Sequence, residues 1–120
     1  MKEISIGSAR YHIVVDQRDG RWRAHAERAG SGDRFGVECD GASEAEAVEH
    51  LSRWLEWQHD HTVALEALQR AERAYHRTIA GSAFASAMEG PTAIELQKES
   101  LEQVEAARVR LDEIRARKPQ

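Results

Sequence analysis

Cysteine occurs once, proline twice, and aromatic residues make up only 6% of the 120 residues. Cys39 has no second cysteine in the chain to pair with, so no disulfide framework can hold this fold, and the expected setting is a reducing cytoplasm. No apolar run approaches the ~18 residues of a membrane span, and the opening MKEISIGSARYH lacks the apolar core of a signal peptide. Neither a membrane partner nor export is expected. An excess of positive charge is also missing. The net charge is −4, and none of the three stretches 1–42, 43–80 and 81–120 carries more basic than acidic side chains. The molecule as a whole therefore repels phosphate backbones, and a nucleic-acid partner would need a segregated basic patch.

Reactive constellations are scarce as well. The chain contains no Gly-x-Ser-x-Gly elbow and no Gly-rich phosphate loop. Gly30, Gly32 and Gly36 are not followed by a helix within reach, so they read as hairpin loop. Cys39 has no neighbouring base and lies beside Val37 in a strand-like stretch, where a small buried hydrophobe is expected. His59, Asp60 and His61 look like a metal cluster, but helical positions two apart diverge by about 200°, so the two imidazoles cannot grip one ion on a continuous helix. Glu56 and His59 have the Glu-x-x-His spacing of carboxylate-bridged metal bundles, yet no second such pair occurs. The reading is no catalytic residue, no cofactor and no metal ligand set, with a small enzyme or metal protein centred on His59 to His61 as the least favoured alternative.

Strand-like alternation runs over Tyr11 to Gln17 and Arg21 to Arg28, separated by Arg18, Asp19 and Gly20. Asp-Gly is the preferred centre of a type I′ hairpin turn, because both central residues need positive φ. Counting outward pairs Val15 with Ala24, Ile13 with Ala26 and Gln17 with Trp22 on one face. The other face then pairs Asp16 with Arg23, Val14 with His25 and His12 with Glu27. A third strand, Arg34 to Cys39, is expected to turn Phe35, Val37 and Cys39 to one side, and Ile4 and Ile6 offer a short fourth edge strand.

Ser43 followed by Glu46 forms a capping box and starts a helix. Val48, Leu51, Leu55, Leu65, Leu68, Tyr75 and Ile79 recur at close to a 3-4 spacing, with no Gly or Pro before Gly81. Gly81 is therefore expected to end this long helix. Thr92 with Glu95 makes a second capping box, so a second helix is expected from Ala93 to about Arg117, with Ile94, Leu101, Val104, Leu111 and Ile114 as its packed stripe. Its acidic first half and basic end have the sense that the helix dipole favours. Such a helix is too long for a small sheet to cover, so its second half should pair with the second helix as an antiparallel hairpin. The segment between them, GSAFASAMEGP, carries Phe84 and Met88 at i, i+4, which suits a short helix capping the hairpin or, alternatively, a docking element.

A second stripe runs beside the leucines: His50, Trp54, Trp57 and His61, at i, i+4, i+7 and i+11. The helix is thus apolar or aromatic over much of its circumference between residues 48 and 61, which implies burial on two sides. One side is the sheet. The other is covered either by the chain's own C-terminal hairpin or by a second chain. The candidate interface residues are therefore His50, Trp54, Trp57, His61, Phe84 and Met88.

Residues 11–57 resemble the N-terminal domain of HicB-type antitoxins, a β-β-β-α unit described as a partial RNase H fold. YHIVVDQRDGRWRAHAE stands for the first hairpin and GASEAEAVEHLSRWLEW for the family's helix start, with Gly41, Ser43, Glu46 and Ala47 carrying the match. The Pro-Gly-Cys segment usual before that helix is replaced by GDRFGVECDG, and no ribbon-helix-helix or helix-turn-helix segment is recognisable. The resemblance implies the fold and a habit of oligomerising and binding protein partners, without carrying over toxin neutralisation. The expected architecture is α+β: a β-β-β-α head over residues 1–58, and over 59–120 a helical hairpin continuous with the head helix as one folding unit. The expected function is a non-catalytic interaction or assembly protein, homo-oligomeric and open to a further protein partner. The alternative is a nucleic-acid-associated or antitoxin-like regulator using Arg21, Arg23, His12 and His25, or residues 108–118.

Overall fold

Asp19 and Gly20 both adopt positive φ, 53° and 79°, which is the backbone that a two-residue primed turn requires. The turn fixes the hairpin on either side of it. In the computed structural model, which describes the backbone of residues 2–84 and 90–119 and the side-chain surroundings of residues 2–80 and 93–119, strands β2 (Ala9–Arg18) and β3 (Arg21–Arg28) pair antiparallel. The pairs are Val15 with Ala24, Ile13 with Ala26, Gln17 with Trp22, and on the other face Asp16 with Arg23, Val14 with His25 and His12 with Glu27. The register counted from the turn is the one observed.

Two further strands complete a meander. β1 (Lys2–Ile6) pairs with the first half of β2, so Ile4 and Ile6 do form the edge strand. β4 (Arg34–Gly41) lies against β3, giving the order β1-β2-β3-β4. Along β4 the register jumps between Ala24 and Ala26, which face Cys39 and Phe35. Two extra residues are thereby inserted on β4, with Gly36 at φ 78° in the bulge. The expectation that Val37 shares the inner face with Phe35 and Cys39 is corrected by this bulge. Cys39 is buried and Phe35 packs against the core, but Val37 is 38% exposed.

The link from sheet to helix is short and tight. Helix α1 (Glu44–Phe84) begins directly after β4, the backbone N–H of Glu46 donates to Ser43 Oγ at 3.1 Å, and Ala47 N–H donates to Ser43 O at 3.0 Å. This is the predicted cap, satisfying first-turn donors that have no helical partner. Gly41 is buried, and a Cβ there would lie 2.7 Å from Ala47 N and 3.0 Å from Glu46 carbon atoms. The small residues Ala24 and Ala26 face inward on the sheet, and Ala47, Val48, Leu51 and Leu55 of α1 complete one core with Tyr11, Ile13 and Cys39.

Helix α1 continues through Gly81 to Phe84, which corrects the expectation that Gly81 ends it. A helical glycine costs only about 1 kcal/mol relative to alanine, so on its own it stops nothing. Helix α2 spans Gly90–Ala116 and so begins before Ala93, with Thr92 inside its first turn. Pro91 is compatible with that position, where its missing N–H has no helical acceptor to lose. The segment between the helices, residues 85–89, lies outside the described residues, and so does the expected capping helix with Met88.

The chain divides into two compact units, Met1–His59 with Lys118–Gln120, and Asp60–Arg117. In the second, the two helices pair as an antiparallel hairpin with Ala64, Val104, Leu111 and Ile114 buried. The α2 side turned inward is the row 93, 97, 100, 104, 107, 111, 114, whose members are all buried or half-buried. Ile94 and Leu101, expected in the packed stripe, stand one position off this row and are 66% and 39% exposed. The buried members of the row are Val104, Leu111 and Ile114, with Ala93, Gln97, Ser100 and Ala107 half-buried beside them.

Gly41→Ala should lower stability by about 1–3 kcal/mol, because the added methyl meets helix backbone that cannot yield. Ser43→Ala should cost about 0.5–2 kcal/mol through loss of the cap. Urea denaturation followed by circular dichroism checks both, and an unchanged midpoint for Gly41→Ala would contradict the close approach.

Candidate interaction surface

Because helical positions advance by about 100° per residue, the α1 face that carries Leu51 and Leu55 into the sheet leaves His50, Trp54 and Trp57 on its flank. Trp54 packs partly against the core, and both indoles are half-exposed. Their rings meet edge to face, with centroids 5.7 Å apart and planes at 80°, an arrangement aromatic quadrupoles favour. Lys118 Nζ lies over both rings, 5.6 Å from the Trp54 centroid and 5.9 Å from that of Trp57.

Four of the six residues expected at an interface, His50, Trp54, Trp57 and His61, are among those whose side chains are described. Trp54 and Trp57 are brought together. His50 turns to the sheet, its Nδ1–H donating to Asp40 O at 2.9 Å, and so ties the helix start to the end of β4. His61 belongs to the other unit, where its Nε2 accepts a long 3.4 Å bond from Arg115 Nε. The Phe84 side chain and Met88 lie outside the described residues. Lys118 is the participant that sequence reading missed, since nothing in the local pattern beyond the second helix relates it to positions 54 and 57.

The hairpin offers a second surface. Val63, Ile79, Ile94, Leu96, Leu101 and Val109 are all substantially exposed. An ion pair between Glu72 and Arg108, 3.9 Å, spans the two helices.

The outward sheet face is a mosaic of opposite charges. Arg21 lies 3.4 Å from Asp40, Arg23 3.8 Å from Glu38, and Arg34 2.7 Å from the same Glu38. Glu3 sits between Arg10 and His12, at 3.9 and 3.8 Å, and His25 Nε2–H donates to Glu27 at 2.9 Å. Exposed pairs of this kind stabilise little, about 0–1 kcal/mol each. They do place a carboxylate beside each cation that an approaching phosphate would need.

Helix α1 runs unbroken through residues 59–62, so His59 and His61 point apart. His59 instead lies over the β1–β2 turn, its ring 2.5 Å from where a Cβ on Gly7 would stand. Among the described residues no three His, Cys, Asp or Glu side chains converge to hold a metal ion, and no helix is long and apolar enough to cross a membrane. Comparison with protein families, with curated proteins and with solved structures finds no match to this chain.

Burial pushes the Cys39 thiol above its ordinary range, and the carboxylates of Asp40 and Glu38 push the same way. A thiolate is the reactive form, so Cys39 should be inert in the folded protein. Labelling by an aromatic disulfide reagent at pH 8 should be at least about tenfold slower in buffer than in denaturant. Because the folded pKa is raised, the stabilisation is full below the unfolded thiol pKa and falls as pH rises through it toward the folded value. Urea midpoints should therefore decline over that alkaline window more steeply for the native chain than for Cys39→Ala.

Proposed function

We propose that this protein is a non-catalytic interaction and assembly protein that acts as a homo-oligomer, with a HicB-like sheet-and-helix head carried on a helical hairpin. The observation that carries this reading is the imbalance within the hairpin unit. Its helices bury Ala64, Val104, Leu111 and Ile114 while leaving Ile94 66%, Val109 57% and Leu96 53% exposed, and Val63, Ile79 and Leu101 are exposed as well. Covering those exposed side chains would add apolar burial to the seam, and most helical stability in proteins comes from burying an apolar face. A second layer of helices supplies that burial, as in four-helix bundles, and a second copy of the same hairpin is the partner whose apolar area matches by construction. The resemblance of residues 11–57 to antitoxin heads supports the same habit of association.

At micromolar concentration the full chain should sediment at a multiple of its 13.5 kDa monomer mass. The double variant Ile94→Glu, Leu101→Glu should raise the dissociation constant by at least about tenfold, since each change replaces an apolar contact by a desolvated charge. Helical circular dichroism should persist in that variant. A mass of 13.5 kDa throughout the micromolar range defeats the proposal.

A further inference from the structure

Lys118 does not merely lie near an aromatic residue. Its ammonium occupies the corner between two indole faces set at 80° to one another, 5.6 and 5.9 Å from their centroids. The indole face carries the negative lobe of the ring quadrupole, and tryptophan is the strongest of the aromatic side chains in attracting a cation within about 6 Å. Two faces at nearly a right angle converge that attraction on one point, so a cation there is held from two directions. Trp54 is held by the core on one side, and Trp57 meets it edge to face, which sets the corner before any cation arrives.

We propose that Trp54 and Trp57 form a binding site for alkylammonium groups, with Lys118 as its resident intramolecular occupant. The resident is a poor competitor by chemistry. A primary ammonium is a compact, strongly hydrated charge, and Lys118 is exposed, so much of its hydration stays in place. A quaternary or methylated ammonium presents a larger, weakly hydrated cation and gives up less water on entering an aromatic corner, which is why aromatic cages recognise such groups. The site therefore favours methylated ammonium over lysine, and Lys118 sets the threshold that an incoming ligand must exceed. This inference needs only the head unit and stands whether or not the hairpins associate.

The chain holds three tryptophans, and Trp22 lies on β3, so it serves as an internal control. Titrating the full chain with tetramethylammonium chloride, at ionic strength held constant with sodium chloride, should move the indole N–H resonances of Trp54 and Trp57 saturably and leave that of Trp22 in place. In Lys118→Ala the midpoint should fall by about 5- to 30-fold, the range expected when one cation resting on two rings is removed as a competitor. The neutral isostere 3,3-dimethyl-1-butanol should produce no saturable shift, and Nα-acetyl-lysine amide should bind more weakly than tetramethylammonium. Equal midpoints in the native chain and Lys118→Ala overturn the role of Lys118. Shifts that never saturate, that include Trp22 equally, or that the neutral isostere reproduces overturn the site itself. The indole spectrum of Lys118→Ala without ligand reports that the variant is folded.

Discussion

The contact on which the head depends is the near-touching of two backbones, where Gly41 at the end of β4 meets Ala47 in the first turns of α1. Any side chain at position 41 would stand 2.7 Å from the Ala47 nitrogen, so the helix can lie this close only over a glycine. Closeness then propagates. Ala47 is fully buried, the small Ala24 and Ala26 line the sheet surface beneath the helix, and Leu51 and Leu55 reach the space between Tyr11, Ile13 and Cys39. Ser43 and His50 fasten the same junction from both sides, one capping the first helical amides and the other bonding the carbonyl of Asp40.

A helix seated so closely by one face exposes what stands on its flanks. Trp54 and Trp57 are therefore held in position without being enclosed, and the edge-to-face geometry between them follows from adjacent turns of one helix rather than from a built pocket. The sheet's outer face follows the opposite logic. Its cations alternate with carboxylates along and across strands, which keeps an exposed four-stranded surface wet and electrically balanced. The two surfaces differ in kind: one can gain by covering an aromatic pair, whereas covering the other strips water from charges already matched.

The hairpin seam mixes small and large side chains. Ala64, Val104, Leu111 and Ile114 are buried in it and Ala93, Ser100 and Ala107 are half-buried, while Ile94, Leu96, Leu101 and Val109 stand outside it. The proposed association would cover those outer side chains.

The sequence by itself determined whatever depends on residues near one another in the chain. Asp19-Gly20 set the turn, and the turn set the β2–β3 register pair by pair; Ser43 and Glu46 marked the start of α1; the absence of any breaker between residues 44 and 80 implied one long helix. Each is a local rule acting through a few bonds. Tertiary structure decided the rest. The bulge at Gly36 turned Val37 outward, because only the fit of β4 against β3 and α1 makes the two extra residues necessary. Gly81 did not end α1, since a glycine is a weak signal that neighbouring helical residues can override. Of the expected α2 stripe, Val104, Leu111 and Ile114 face inward while Ile94 and Leu101 do not, because the facing helix selects a single row. The approach of Lys118 to Trp54 and Trp57 joins positions some sixty residues apart, and no periodicity links them, because an ammonium finds two indole faces only once the chain has folded back on itself.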